Sequence, residues 1–546
     1  SFEAAMARWL AAISAIILFV SCANVANLLL ARLARRRREL AVRMALGSGR
    51  GRVIRLLAIE GLLLALGAAI TGLLVMIIVE PIVKGSLFPD GGWTFSLVDW
   101  RIQGAVVVFT ILTALLVSLV PAIQAGRAEV NDALRGGSRG GETRSGLRST
   151  LTVVQATLSV VLLVGAGLFL RSVQRVNAVD LGMQADRVLT VEVRYPRPAR
   201  AAGESFENWL TRGSELERMR YRRLVEVARR VPGVERAAVT VTIPLNGGVT
   251  LSLWAPGRDS IPALPGGGPW VSAVGEDYFP AMGTAIRQGR AFTAADREGS
   301  EAVVIVNETM AQTLWPGRLP LGECLVIQNR SAPCARIVGV AADIHRSGLR
   351  EEPSMQYYVP VGQERGFSGS WLIVRPKGEV TTAWRALREA LQAADPEIRS
   401  IDVRVLSQGL AGEIRPFRLG MVAFGLSATL ALIVAGLGLY SIMAHAVAWR
   451  RHEIGVRMAL GARPRSIARL VVGRGAILAT TGIGLGLLLA MAARPWLEPQ
   501  LFDTSARDPL VLVGVAVVLE AVALLAGWIP ALRAVAVSPT EALRAE

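Results

Sequence analysis

Apolar residues fall in long runs at the two ends of the chain and in short runs through its middle. The runs at 9–30, about 59–79, 104–125, 150–170, 419–447, about 476–493 and 509–529 are each of a length to cross a bilayer as a helix, for which roughly 20 mostly apolar residues suffice. Seven spans are therefore expected. Between 171 and 414 the pattern changes. Strand-like runs at 188–193, 237–241, 302–306, 336–340 and 371–374 alternate with helical stretches near 214–230, 308–315 and 381–394. That alternation, in two groups, predicts mixed α/β modules, and the length is enough for two small subdomains. Asn307 stands where an N-cap belongs, ahead of Glu308, Thr309 and Met310.

One stretch occurs twice. Residues 38–47 read R-E-L-A-V-R-M-A-L-G and residues 452–461 read H-E-I-G-V-R-M-A-L-G. Glu39 aligns with Glu453, Arg43 with Arg457 and Gly47 with Gly461. Each copy follows an apolar run and a knot of arginines and precedes another apolar run. The duplication covers roughly 9–135 and 419–546, with a slip of five residues in the short loop between the second and third runs, where insertions are tolerated. Within each block the acid and the arginine lie at i, i+4 and can pair across one turn. Ile454 shares a face with Met458, and Val456 with Leu460, while Gly461 can end the helix. The expected product is a short amphipathic helix, suited either to a cleft on a partner or to anionic headgroups.

Charge orients the chain. Of 546 residues 52% are hydrophobic and the net charge is +17, with a mean hydropathy of +0.43. That is too apolar for an ordinary soluble domain. A basic balance can signal nucleic acid, but here the arginines abut membrane-length runs: residues 32–55 hold nine arginines and one acid, Glu39. This is the positive-inside pattern, so no nucleic acid is expected. The Gly/Arg/Ser-rich segment before 150 reads as a flexible cytoplasmic linker, and 171–414 falls on the outer side. The chain starts at Ser1 without an initiator Met, and an outside N-terminus directly ahead of a span fits a fragment or a processed chain. Cys324 and Cys334 flank a turn between two strand-like runs, and an extracytoplasmic location favours a disulfide between them.

The duplicated block between two spans resembles the permease domain of FtsX/MacB-type ABC transporters. Residues 279–283 (F-P-A-M-G), 288–293 (Q-G-R-A-F-T), 306–309 (V-N-E-T), 314–317 (L-W-P-G) and 338–340 (V-G-V) ahead of Asp343 are similar to that family's outer domain. Residues 22–32 and the duplication most resemble the acidobacterial-type duplicated, or orphan, permeases. The resemblance implies an α-helical membrane protein of about seven spans in duplicated FtsX-like units, with a large extracytoplasmic mixed α/β domain of the MacB periplasmic-core type. The expected divisions are a first permease unit at 1–135, lacking its first span and outer domain; a cytoplasmic linker at 136–149; the first span of the second unit at 150–170; the outer domain at 171–414; and the rest of the second unit at 415–546. An upstream span and a second outer domain are expected from the same unit size.

The resemblance also implies a partner ABC ATPase that docks on the two coupling helices and moves the spans and outer domain, in the inner membrane of a bacterium. The expected partners are that ATPase, membrane lipid, and an outer-side adaptor or hydrolase. No G-x-x-x-x-G-K-[ST] phosphate loop occurs, so no cofactor is expected on this chain, ATP acting through the partner. Glu520 falls mid-span, where an acid is a functional candidate by default, yet its counterpart in the first repeat is Ile111. Asn24 and Asn27 share a helix face that should meet another helix. The histidines show no metal spacing. Export or extraction of an outer-side substrate is the leading expectation. A signalling scaffold that regulates an extracytoplasmic hydrolase and a membrane enzyme with its site in the outer domain are the alternatives.

Overall fold

The computed structural model describes residues 2–35, 50–87, 99–126, 140–196, 198–363, 371–449, 454, 456–458, 460 and 462–535. It divides into two compact units, one drawn from both ends of the chain and one formed by Ala178–Ile414.

The first unit is helical. Its helices are α1 (Phe2–Arg35), α2 (Arg50–Leu87), α3 (Trp100–Gly126) and α4 (Gly140–Asn177). After the second unit come α9 (Ala411–Trp449), α10 (Pro464–Ala492) and α11 (Pro509–Val535). All seven are long and apolar enough to cross a membrane. Leu63, Ile78, Val108, Leu488 and Leu525 lie exposed on their flanks, as lipid-facing side chains do, because in hydrocarbon the backbone is satisfied inside each helix and apolar side chains need no cover. The helices are longer than the apolar runs alone. The linker expected at 136–149 is in part helical, since α4 begins at Gly140; the glycine-rich composition does not stop a helix that continues into a span.

Helix α4 is the hub. It packs against α1, α10 and α11, while α3 packs against α1 and α2. The glycines at i, i+4 on α10 allow the closest of these approaches. A Cβ on Gly482 would stand 2.5 Å from that of Ala156, and one on Gly486 2.5 Å from that of Val160, so small residues here bring two backbones together. Further along α4, Phe169 stacks on Phe424 of α9 with ring centroids 5.2 Å apart. Arg171 pairs with Asp508 at 3.2 Å.

The second unit is one mixed sheet with helices on it. Its strands are β1 (Leu189–Arg194), β2 (Val234–Thr240), β3 (Val249–Thr250), β4 (Leu253–Trp254), β5 (Trp270–Val274) and β6 (Ile286–Gly289). They continue with β7 (Val303–Asn307), β8 (Cys324–Ile327), β9 (Ala335–Ala341), β10 (Gln356–Pro360), β11 (Trp371–Pro376) and β12 (Ser400–Val405). The order is β12-β1-β11-β2-β5-β10-β7-β9-β8-β4, with β3 on β5 and β6 on β9. The helices are α5 (Phe206–Arg230), α6 (Tyr278–Met282), α7 (Glu308–Leu314) and α8 (Val380–Ala394). Where the pattern predicts two subdomains, the structure has a single sheet with two lobes. On one face α5 and α8 cover β1, β2, β11 and β12, and α7 covers β5, β7, β9 and β10. Strands β2 and β5 meet at one register pair, Thr240 opposite Val274.

The period-two alternation of strand side chains assigns each core. Leu372 and Val374 face α5 and α8, and Ile373 between them faces the other side. Val304 and Val306 face α7, and Ile305 the other side. On that opposite face one cluster runs across both lobes. Tyr278, Phe279 and Met282 of α6 sit there against Ala238, Val274, Tyr358 and Ile373. The short helix ends at Gly283, whose φ of 72° is a conformation that favours glycine. Thus α6 bridges the seam that the strands barely close.

Candidate functional site

The repeated block is the first candidate. Glu39, Arg43 and Gly47 of the first copy, and Glu453 and Gly461 of the second, lie outside the described residues. What is described of the second copy has two sides. Ile454 is buried with Leu439, Met443, Val447, Ile467 and Ala531, and Met458 packs against the same cluster. Arg457 is exposed, and Leu460 is 83% exposed. The bonds there are those of a helix end: Leu460 N–H donates to Val456 O at 3.0 Å and Ala462 N–H to Arg457 O at 2.9 Å. Pro464 then opens α10, and Ser466 Oγ donates to Arg463 O at 2.7 Å. An apolar anchor is thereby seated among the spanning helices while a guanidinium and a large apolar side chain face outward.

A second cluster lies between the spans. Asn24 and Asn27 of α1 are both buried, as is Gln155 of α4. The amides of Asn27 and Gln155 have no hydrogen-bond partner among the described residues. One turn along α4, Ser159 Oγ donates to Gln155 O at 2.9 Å and lies 3.4 Å from Ala431 O of α9. The face carrying the two asparagines does meet other helices. Gln155 has no mark in the repeat, although a glutamine inside an apolar run is itself a signal of a helix contact.

Glu520 of α11 is half-buried and accepts a hydrogen bond from Thr480 Oγ1 of α10 at 3.3 Å. Thr480 is exposed, so this acid has one hydroxyl partner on a flank of the bundle and does not line the amide cluster.

In the α/β unit the polar groups hold loops in place. Asp343 accepts from Thr309 N–H at 3.0 Å and from Thr309 Oγ1 at 2.7 Å. Glu351 accepts from the backbone N–H groups of Arg346 and Ser347, and the Arg346 guanidinium lies 3.7 Å from the centre of the Trp270 ring. Burial lowers the Arg346 pKa from its ordinary value, and Glu351 opposes the shift. His345 Nδ1 sits 2.9 Å from Gly348 O. Glu413, within the same unit, accepts Leu349 N–H at 2.9 Å, a contact the sequence pattern does not reveal. On another edge Asp296 takes both guanidinium nitrogens of Arg290, at 2.7 and 2.9 Å. Those bonds hold its carboxyl below the usual range, against the opposing effect of burial. Cys324 and Cys334 are joined in a disulfide, with Cα atoms 5.5 Å apart. Among the described residues no group of three or more His, Cys, Asp or Glu is arranged to hold a metal. The polar contacts on view are caps and clamps on the loops of this unit.

Two family models match the chain. The family model for the FtsX-like permease C-terminal domain matches residues 11–130 and again 425–539. The model for the MacB-like periplasmic core domain matches 149–405. A macrolide export ATP-binding/permease protein, MacB 2, of Yersinia pestis bv. Antiqua (strain Antiqua) is 28% identical over 290 residues, or 50% of this chain and 41% of that one. The MacB protein of Aggregatibacter actinomycetemcomitans is 28% identical over 230 residues, or 40% of this chain and 34% of that one. These matches therefore span less than half of the relatives' length. Among solved structures, the periplasmic region of MacB from Actinobacillus actinomycetemcomitans covers 42% of this chain and 92% of its own, with a TM-score of 0.27 and 16% identity. The extracellular domain of the transporter YknZ from Gram-positive bacteria covers 39% and 99%, with a TM-score of 0.26 and 15% identity.

Proposed function

The chain belongs to the FtsX/MacB-type family of ABC-transporter permeases, and on that premise we propose that it is the membrane component that carries motion from a separate ABC ATPase to the periplasmic core domain. The observation that carries this reading is the two-sided geometry of the repeated block: Ile454 is fixed among the spanning helices while Arg457 and Leu460 face outward. In this reading an ATPase subunit grips the block on the cytoplasmic side, and its closure on ATP displaces α9, α10 and α11. The first copy offers a second, non-identical contact through Glu39, Arg43 and Gly47. Glu453, Arg457 and Gly461 form the other. In this reading ATP acts through that ATPase.

The protein then works in the inner membrane of a bacterium, with lipid around its spans and its α/β unit on the far side. The work done there is export or extraction of a substrate. The names of the relatives, macrolide export proteins, make macrolide efflux the first activity to assay. The test is capture of an ABC ATPase by the tagged chain from its native membranes, followed by Arg457→Glu and Leu460→Asp. Both substitutions should reduce ATPase capture and efflux together without reducing the amount of folded chain. Unchanged capture and unchanged efflux would overturn the coupling role. Intact ATPase capture with no efflux, but with an outer-side hydrolase bound, would favour the regulatory reading instead.

A further inference from the structure

One slot between spanning helices is filled differently in the two copies. In the register that aligns Glu39 with Glu453, Gly61 corresponds to Gly475 and Leu29 to Met443. In the register that aligns Ile111 with Glu520, Ser118 corresponds to Gly527. A Cβ built on Gly475 of α10 would overlap Cε of Met443, and one on Gly527 of α11 would stand 2.9 Å from its Sδ. A single side chain of α9 therefore lies against glycines on two other helices. In the first copy a Cβ on Gly61 of α2 would instead overlap Oγ of Ser118 of α3. Leu29 of α1 is buried with Cys22 and Val117, and among the described residues no side chain of α2 joins that cluster. There α3 closes the slot, and α1 stays out of it.

We infer that Met443 is a positioning residue: wedged between Gly475 and Gly527, it joins α9 to α10 and α11, so that the second copy of the repeated block bears on three spanning helices together, whereas the first copy lacks this joint. The inference rests on the coupling role proposed above and names the side chain that serves it. Three physical points support it. Met443 lies in the same buried cluster as Ile454, and Met458 of the block packs against that cluster. An unbranched thioether can bend into the narrow gap that two glycines leave between backbones. Close-packed side chains have no slack, so a displacement at one of them is passed to the others. A shift of Ile454 therefore reaches α9, α10 and α11 at once through the cluster that Met443 completes. Leu29 and Ser118 make no such three-helix joint among the described residues of the first copy.

The test uses the full chain in its native membranes, with ATPase capture and macrolide efflux measured side by side. Met443→Ala should keep capture within about twofold of wild type and lower efflux about tenfold, the scale on which a residue touching neither ligand alters coupling. Leu29→Ala is the matched control, since both side chains are 4% exposed; its efflux should stay within about twofold of wild type. Equal efflux in the two variants, or a loss of capture along with efflux in Met443→Ala, overturns the inference while leaving the coupling role standing. Should the wild-type chain capture no ATPase, the coupling role itself fails, and a stability cycle decides on the wedge alone. Gly475→Ala should lower the thermal midpoint by several degrees, and Gly475→Ala with Met443→Ala should cost less than the two single losses together. Losses that simply add overturn the wedge.

Discussion

Asn307 Oδ1 accepts the backbone N–H of Gln356 at 2.8 Å while it also caps α7 through Met310 N–H at 3.0 Å. Its Nδ2 donates to Ser354 O at 2.9 Å. One fully buried amide therefore ties the end of β7, the start of α7 and the entry to β10. Asn307→Ala leaves three buried backbone groups without their partner. Loss of a cap costs about 1 kcal/mol, and unpaired buried groups add about 1–3 kcal/mol, so a destabilisation of roughly 2–4 kcal/mol is expected. Thermal unfolding of the solubilised chain measures it, and a change under about 0.5 kcal/mol, the scale of ordinary surface substitutions, would show that neighbours take over these bonds.

The Arg290–Asp296 pair predicts a pH dependence. The Arg290 guanidinium holds the Asp296 carboxyl below its ordinary value, and Thr293 N–H adds to the effect. A carboxyl with a depressed folded pKa stabilises the fold above the unfolded value, roughly 3.9, and that contribution disappears as pH falls through the folded value. Asp296→Asn should thus cost about 1–3 kcal/mol near neutral pH, and its difference from wild type should shrink below about pH 4. Unfolding midpoints of the two proteins from pH 3 to 7 check the sign. A gap that grows toward low pH contradicts it.

The disulfide closes a short loop, Cys324 to Cys334, ten positions apart. The chain-entropy relation gives about 2–3 kcal/mol for a loop of that size. Replacing both cysteines by serine should lower stability by that order, and a reducing agent should lower wild type but leave the double variant unchanged. Equal midpoints for reduced and oxidised wild type would show that β8 and β9 hold the turn unaided.

How much of this was legible in the sequence depends on where the signal lies. A span announces itself by length alone, and all seven runs become helices. Residues 303–307 end in a capping asparagine and become β7 and α7 as expected. Strands β5 and β10 give no such signal. They are central strands covered on both faces, so Trp270–Val274 and Gln356–Pro360 lack alternation, and irregular Gly/Pro-rich segments flank them. Strand β12, with Ile401, Val403 and Val405 in alternation, does carry the edge-strand pattern, masked by the helix-like stretch before it. The repeated block was readable because it is repeated. The place of Met443 between Gly475 and Gly527 was not, because sequence register says which residues correspond but not which helices pack together.

Glu520 gives a negative prediction. Its carboxyl accepts a hydrogen bond from Thr480, and a glutamine oxygen accepts equally well. The counterpart in the other repeat is Ile111, an exposed apolar residue. Glu520→Gln should leave both stability and efflux unchanged. A selective loss of efflux that varies with pH would instead assign the acid a role in proton movement.

The two copies also contain a matched experiment in packing. Gly486 of α10 and Gly72 of α2 correspond in the same register that pairs Glu453 with Glu39. A Cβ at Gly486 would stand 2.5 Å from the Cβ of Val160, whereas one at Gly72 meets nothing within 4 Å. Overpacking a close contact costs typically 1–3 kcal/mol. Replacing glycine by alanine in an open helix interior gains up to about 1 kcal/mol, since glycine has the greater freedom to lose. Gly486→Ala should therefore destabilise the chain by about 1–3 kcal/mol, while Gly72→Ala should be neutral or stabilising by up to about 1 kcal/mol. Thermal unfolding of the two variants side by side decides it. Equal destabilisation would mean that α2 has its own close partner at Gly72, and that the two small-residue faces are used alike.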